Sequence, residues 1–329
     1  MSAADDARQL PQGKSLPGSR PLVVLRATSA TRTSTQTLID ISHRLRPRDY
    51  AIASLLHEHT TLTTDQLTAI LFTNPTTCRH RLHALRKLSF VDRFVRTRPG
   101  APNPVCWVPG LLSARYMALA TGENPPTAKA LRERQDRIYA TPTLEHLLAA
   151  NQFFIDLLAH ARRHTGTGLV RWWGERSTTA AFGRRIHPDG HGVWVDGPSS
   201  TGFHLELDRG TEPLRRLTER LASHRRLHAE GGPAYPVLFV LPNRAREQNL
   251  HRKLAERPEP SLTIATTSPE AGTNPAGPVW RIAGNGRHRL TLADLPSSHG
   301  QPGPLNPGPP QPRDHPLQPI ATQPDSWPR

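Results

Sequence analysis

The sequence predicts an α+β protein in which a small helical region with a β-hairpin precedes a larger α/β region around a mixed sheet. Three observations support this prediction. Amphipathic helical segments follow one another from about residue 47 to residue 89. Two strand-like segments come next, and helical and strand-like segments then alternate from about residue 140 onward. A chain of 329 residues is long enough for two domains of ordinary size.

Changes in composition mark the expected domain boundaries. The polar N-terminal segment shows little periodicity, and the C-terminal segment holds eleven prolines, so both are predicted to be disordered. Between the structured regions, GENPPTAKALRERQDR opens with two prolines and continues as a charged segment that is compatible with a helix. The predicted divisions are a disordered arm (1–45), a first domain (46–122), a linker (123–139), a second domain (140–295) and a Pro-rich tail (296–329).

The charge balance favours a polyanionic partner. Lys and Arg number 42 against 27 Asp and Glu, which leaves a formal net charge of +15. Nucleic acid is the first candidate for such a partner and an anionic membrane surface is the second. Most of the cations are Arg, which binds phosphate and guanine edges bidentately. A GC-rich coding genome would also enrich Arg, Ala, Pro and Gly, so composition alone does not show that the protein binds a polyanion.

Several classes of protein are disfavoured by what the sequence lacks. Cys78 and Cys106 form no CxxC pair, which argues against zinc fingers and disulfide scaffolds. No apolar run approaches the roughly 20 residues of a membrane span, and no signal-peptide core is visible, so a cytoplasmic protein is expected. The phosphate-binding pattern GxxxxGK[ST] is absent, which argues against ATP-driven work.

The first two predicted helices bury one apolar face each. In RPRDYAIASLLHEHT, residues Ile52, Leu55 and Leu56 share a face, and Pro47 suits the first turn of a helix. In TLTTDQLTAILF, Thr63 or Thr64 can cap a short helix that buries Leu67, Ile70 and Leu71.

The third helix and the following hairpin are the predicted nucleic-acid interface. Cys78, Leu82 and Leu85 share one face of TNPTTCRHRLHALRKLSF, and the opposite face is polar and basic. FVDRFVRT and PVCWVPG flank the turn RPGAPN as two strands. Three helices and a hairpin predict a winged helix-turn-helix that binds double-stranded DNA, although a winged helix used for protein contacts and a solvated amphipathic helix are alternatives. The predicted DNA-binding residues are Thr76, Arg79, His80, His83, Arg86, Lys87, Arg93, Arg96 and Arg98.

The second region predicts a mixed sheet with flanking helices. TPTLEHLLAANQFFIDLLAHARRH is the strongest amphipathic helix, and LVRWWG, RIHPDGHGVWVDG and TGFHLELDRG follow as strands, the last two as a hairpin around GPSSTG. TEPLRRLTERLASHRRLHAE is a helix that Thr211 can cap. AYPVLFVLP is a continuous apolar strand and is therefore expected near the centre of the sheet. A further helix, AREQNLHRKLAE, and a further strand, SLTIATT, complete the α/β pattern.

Acidic residues in the hairpin form the predicted chemical site. Strand geometry places Phe203, Leu205 and Leu207 on one face and His204, Glu206 and Asp208 on the other. Asp189, on the partner strand, can join Glu206 and Asp208 in a hard-oxygen site for Mg²⁺ or Mn²⁺. An acidic strand face paired with nearby arginines is the alternative. The flanking His187, His191 and His204 are further candidate ligands, and Trp172, Trp173 and Trp194 are predicted to pack in the core.

The two halves together resemble the replication-relaxation family of helix-turn-helix proteins, which are associated with plasmid replication and plasmid DNA relaxation. The matching segments are LRPRDYAIASLLHEH, the stretch around RHRLHALRKLSFVDR, RWWGERSTTAAFGRRIHPDGHGVWVDG, FHLELDRGTEPLRRLTERL and YPVLFVLPNRAREQNLHRKL, within roughly residues 45–270. The resemblance implies a role in the replication or topology of mobile DNA, without a defined reaction.

The second half is also similar to the restriction-endonuclease-like PD-(D/E)XK fold. That resemblance implies that the two acids of the motif are Asp189 and Glu206, which would also be the metal ligands. It also implies that the helix carrying Glu145 is the one that precedes the sheet in that fold. Where that motif has a Lys, this chain has Asp208, so a basic residue from the next helix, Arg216 or Arg220, would have to compensate. Arg stays protonated and is a poor base. The candidate catalytic residues are Asp189, Glu206, Asp208 and Arg220.

Three functions are compatible with these features. The first is a DNA-binding accessory factor for replication, relaxation or transfer of plasmid-like DNA, which could work with replication or transfer proteins and whose nuclease-like domain is degenerate. The second is an active metal-dependent endonuclease or nickase targeted by the winged helix. The third is a transcriptional regulator. A nicking assay with Mg²⁺ or Mn²⁺ separates the second from the others.

Overall fold

The computed structural model describes residues 40–97 and 103–318. Residues 1–39 of the predicted N-terminal arm lie outside the described residues. Arg98, most of the turn RPGAPN and residues 319–329 also lie outside them. The first region consists of α1 (Pro47–His59), β1 (Leu62–Thr63), α2 (Thr64–Leu71), α3 (Pro75–Lys87), β2 (Val91–Val95), β3 (Val105–Pro109) and α4 (Leu111–Thr121). Its three antiparallel strands lie in the order β1-β3-β2.

Local sequence signals account for the start of each helix in this region. Pro47 occupies the first turn of α1, where a missing backbone N–H has no cost. Thr63 caps α2. Its hydroxyl accepts a hydrogen bond from the Gln66 N–H at 3.1 Å, and the side-chain oxygen of Gln66 accepts a hydrogen bond from the Thr63 N–H. Asn74 caps α3 through the Thr76 N–H at 2.7 Å. The predicted inward faces are confirmed, since Ile52, Leu55, Leu56, Leu67, Ile70, Leu71, Cys78, Leu82 and Leu85 are all buried.

The second region is built on a six-stranded mixed sheet, in agreement with the predicted α+β class. Strands β4 to β6 are antiparallel, β6 to β8 are parallel, and β9 is antiparallel to β8. The short helix α7 and the edge strand β9 were not expected from the sequence. The elements are α5 (Ala128–Ala140), α6 (Leu144–Ala161), β4 (Thr167–Gly174), α7 (Glu175–Ala181), β5 (Gly190–Asp196), β6 (Ser199–Leu207), α8 (Leu214–Ala229), β7 (Val237–Val240), α9 (Arg244–Glu256), β8 (Ile264–Thr267) and β9 (Arg281–Ile282).

Strand β6 shows the alternation that the sequence predicts. Phe203 and Leu205 face α6, where the rings of Phe203 and Phe154 stack with centroids 5.9 Å apart. His204 and Glu206 face α8 and are equally buried, at 2% exposure each. A strand that is covered on both faces buries its polar side chains, so each of them needs a partner inside the protein.

Helix α6 joins the two regions into one hydrophobic core. The core cluster runs from α1 and α2 through α6 to the sheet without interruption. Polar contacts reinforce it: the Gln66 side chain donates to the Leu148 carbonyl at 2.9 Å, and Asn151 donates to the Thr61 carbonyl at 3.1 Å. The segment predicted as a linker contains helix α5, and its Gln135 donates to the Pro109 carbonyl at 2.9 Å. The two regions therefore form a continuous body.

The structure departs from the predicted disordered tail at residues 296–318. Residues 303–318, here called the C-terminal strap, lie against β4, and Leu317 is only 1% exposed. Arg171 on β4 is buried and pairs with Asp314 at 2.6 Å, and it donates to the carbonyls of Gly308 and Pro309 at 3.1 Å. The prolines supply backbone carbonyls without N–H groups that would need partners, so this Pro-rich segment can pack on the sheet.

Candidate nucleic-acid interface and adjacent cleft

Helix α3 presents a cationic face to solvent. Its inner face is fully buried on α1 and α2, and residues 75–87 contain no Asp or Glu. Burial lowers the pKa of His83, with further contributions from Arg93 and Arg86, so its imidazole is mainly neutral near pH 7. The exposed residues on the outer face are Thr76, Arg79, His80, His83 and Lys87.

Arg81 has a structural role on the same helix. Its guanidinium binds both carboxylate oxygens of Asp49, which is itself 0% exposed on α1. Arg81 also donates to the Arg44 carbonyl at 2.8 Å. This buried carboxylate would be strongly unfavourable without its partner, so Arg81 fixes α3 against α1.

Three arginines of the predicted surface, Arg86, Arg93 and Arg96, are half-buried and contact other parts of the chain. Arg86 pairs with Asp92 at 3.2 Å, and the Arg93 guanidinium packs over the ring of Trp107 at 5.8 Å. Arg96 turns toward the second region, where it donates to the Thr141 carbonyl at 2.7 Å and lies 3.9 Å from Glu145. Of the nine predicted DNA-binding residues, those that are exposed in the described part of the chain are Thr76, Arg79, His80, His83 and Lys87, all on α3.

A cleft of about 960 Å³ lies where the two regions meet. Its walls are the end of α1, the last turns of α5, the start of α6, the β4–α7 junction and the carboxyl end of β6. The predicted acidic residues Asp189 and Asp208 line it, and so does Arg220 from α8. The candidate carboxylate site therefore opens into a cavity large enough for a ligand.

Asp189 lies immediately before β5 and beside the end of β6, as the hairpin prediction required. Its backbone N–H donates to the Leu205 carbonyl at 2.9 Å, and its Oδ2 accepts from the Leu207 N–H at 2.7 Å. Its Oδ1 lies 2.7 Å from Nε2 of His146 on α6. This hydrogen bond raises the pKa of His146, so Asp189 and His146 form an ion pair over a wider pH range. His146, not Glu145, is the α6 residue at this site, and no spacing in the sequence pointed to it.

Glu206 and Asp208 are neutralised by cations from different helices. Glu206 Oε2 lies 2.9 Å from Arg220 on α8, and its Oε1 lies 3.6 Å from His224. Asp208 binds Arg246 on α9 and accepts from the Gly210 N–H at 2.8 Å. Of the two arginines proposed to reach into the site, Arg220 does so. Arg216 remains 61% exposed beside Glu212.

The residues at this site fit a set of internal ion pairs better than a cation site. Each of the three carboxylates is already bound by a side chain of the protein, and no group of three His, Cys, Asp or Glu residues in the described part of the chain is arranged to hold a metal ion. Mg²⁺ and Mn²⁺ prefer several oxygen ligands that are free to converge on one point.

The neighbouring histidines and tryptophans are structural in position. His191 and His204 are buried among Phe182, Tyr235 and other rings, and His191 Nδ1 lies 2.8 Å from the Phe203 carbonyl oxygen. His187 is exposed and contacts Thr179. Trp172 and Trp194 lie in the core, as predicted, and Trp173 is half-buried beneath the Arg171 guanidinium.

These features define a mixed α+β protein with a cationic face on α3 and a charged cleft at the junction of its two regions. Residues 54–238 match the sequence model of the replication-relaxation family. Since that match spans more than half of the 329 residues, the chain belongs to the replication-relaxation family. Membership suggests a role in plasmid replication or relaxation, with partners related to DNA. Neither the curated proteins nor the solved structures include a match to the chain. Among the described residues, no helix has the length and apolarity needed to cross a membrane.

Proposed function

We propose that the protein is a duplex-DNA-binding accessory factor for the replication, relaxation or transfer of plasmid-like DNA. In this proposal residues 47–121 form a winged helix-turn-helix, and α3 is the recognition helix that enters the major groove. The observation that carries the proposal is the division of α3 into a fully buried apolar face and an exposed face with Arg79, His80, His83 and Lys87 but no acid. A cationic helix of this kind attracts phosphates and displaces their counterions.

In the same proposal the second region is a PD-(D/E)XK-like domain without catalytic activity. Asp208 stands where that motif has a Lys, and Arg246 binds it. Arg220 neutralises Glu206 but stays protonated and cannot activate water as a base. The domain then serves as a regulatory or DNA-binding platform.

Replacing the two most exposed cations of α3 tests the DNA-binding proposal. We expect the double variant Arg79→Ala/Lys87→Ala to bind duplex DNA at least about tenfold more weakly at moderate salt, because two phosphate contacts are lost. Fluorescence anisotropy with a labelled duplex measures this. The matched control is Arg252→Ala/Lys253→Ala, which removes one Arg and one Lys from α9 and should bind like the wild type. Equal affinities for all three proteins would remove α3 from the interface.

The proposal also predicts that the protein does not cut DNA. Supercoiled plasmid incubated with the protein and Mg²⁺ or Mn²⁺ should remain supercoiled on an agarose gel, because Asp189, Glu206 and Asp208 are held by cations of the chain itself. The inactive reference is the variant Asp189→Ala/Glu206→Ala. If the wild type nicks the plasmid in a metal-dependent way and this variant does not, the proposal of an inactive domain is wrong and the endonuclease alternative is supported.

A further inference from the structure

The cleft contains a group of cations that the carboxylate site does not explain. Arg134 and Arg137 reach it from α5 and Arg176 from α7, and His57 lies beside them at the end of α1. The guanidinium of Arg176 is 3.5 Å from Nε2 of His57. We call the three arginines, Arg134, Arg137 and Arg176, the cleft cations.

Arg134 and His57 both lie close to other positively charged groups of the cleft. Burial lowers the pKa of Arg134, and Arg176 lowers it further. Burial also lowers the pKa of His57, with added contributions from Arg176 and Arg134. The acid that faces both is Glu123, and within the described residues it forms no ion pair with either. Repelling cations that are held together in a partly buried cleft lower their energy when an anion binds.

The acidic residues that line the cleft make their hydrogen bonds and ion pairs with groups other than the cleft cations. Glu58 accepts hydrogen bonds from the Gly174 N–H at 2.9 Å and from the Ser177 hydroxyl at 2.8 Å. Asp189 pairs with His146, and Glu212 with Arg220 at 2.9 Å. Burial raises the pKa of Glu175, as do the charges of Asp189 and Glu206. None of the carboxylates that line the cleft forms an ion pair with a cleft cation, so these cations have no direct carboxylate partner there.

We propose that the cleft binds a single strand of DNA, whose phosphates contact Arg134, Arg137 and Arg176. The proposal rests on DNA being the protein's ligand and adds a second site, separate from the duplex surface on α3. A volume of about 960 Å³ lies within the range of pockets for small ligands and is of the size of a few nucleotides. The rings of His57 and His187 and the planar guanidinium groups offer faces on which bases can stack.

Binding of a short labelled single-stranded oligonucleotide tests the proposal, with a duplex of the same sequence measured in parallel. For Arg134→Ala/Arg137→Ala we expect single-strand affinity to fall about tenfold or more, and the slope of log K against log salt to shrink by about 1.4. Duplex affinity should stay unchanged. Lys129→Ala/Arg132→Ala is the matched control, because it removes two cations from the same helix outside the cleft.

A second variant on another element guards against a misfolded α5. Arg176→Ala, on α7, should also weaken single-strand binding while circular dichroism stays that of the wild type. Single-strand affinity that is unchanged in both cleft variants, or reduced equally by the α5 control, overturns the proposal. The duplex proposal fails separately, if Arg79→Ala/Lys87→Ala leaves duplex affinity intact.

Discussion

Asp314→Ala should lower the free energy of unfolding by about 3–5 kcal/mol, the usual cost of removing one partner from a buried ion pair. Asp314 is the carboxylate that balances Arg171, and Arg171 is 1% exposed beneath the C-terminal strap. The two backbone carbonyls that remain, from Gly308 and Pro309, carry no full negative charge. Urea unfolding followed by tryptophan fluorescence measures the loss, because Trp173 lies against the Arg171 guanidinium.

Arg313→Ala is the control for this prediction. Arg313 is the neighbour of Asp314 in the same short turn and is exposed, so its removal should leave stability within about 0.5 kcal/mol of the wild type. A wild-type unfolding midpoint for Asp314→Ala would mean that the strap contributes nothing to the fold. The prediction would then be wrong.

Lowering the pH from about 7.5 to about 5 should remove about 4 kcal/mol of stability through the buried His59 and His191. Burial also lowers the pKa of His204 and of His251, which adds to the loss in the same direction. Burial lowers the pKa of His59 to about 3 and the pKa of His191 to about 3. In the unfolded chain both titrate near the ordinary value of about 6.5, so below that pH the unfolded state binds protons that the folded state does not. Their contribution is complete above about pH 6.5 and declines as the pH falls toward 3.

Each of the two histidines accounts for about 2 kcal/mol at pH 5. This pH lies about 1.5 units below the pKa of the unfolded chain, and each unit corresponds to about 1.36 kcal/mol. His146 acts in the opposite direction, because Asp189 raises its pKa and its ion pair gains strength as the pH falls. Urea unfolding at a series of pH values measures the net slope. The variant His191→Asn, which retains a polar group but does not titrate, should show a shallower slope. Stability that is flat or rises on acidification would contradict the burial of these rings.

The helices and strands were predictable because their signals are local. The faces of α1, α2 and α3 follow from the spacing of residues such as Leu55, Leu67 and Leu82, which are buried as expected. The alternation in β6 correctly separated Phe203 from Glu206. A mixed sheet followed from the order of the elements alone.

What the sequence could not reveal depends on contacts between distant residues. The sequence around Pro309 does not show that Arg171, more than a hundred positions earlier, donates a hydrogen bond to its carbonyl and so holds the strap on the sheet. Arg96 satisfied the charge pattern of the hairpin, yet it turns toward Thr141 because α5 and α6 pack beside it. His146 and the cleft cations came together only through the packing of α6 on both regions.

The salt dependence of duplex binding tests whether α3 contacts DNA, because the slope of log K against log salt measures how many phosphates the protein neutralises. The account predicts a clear negative slope for the wild type, which shrinks by about 1.8 in Arg79→Ala/Lys87→Ala, since each lost phosphate contact on B-DNA removes about 0.9. Arg252→Ala/Lys253→Ala should keep the wild-type slope. Identical slopes for the wild type and the α3 variant would contradict the account, because the exposed face of α3 would then not touch the duplex.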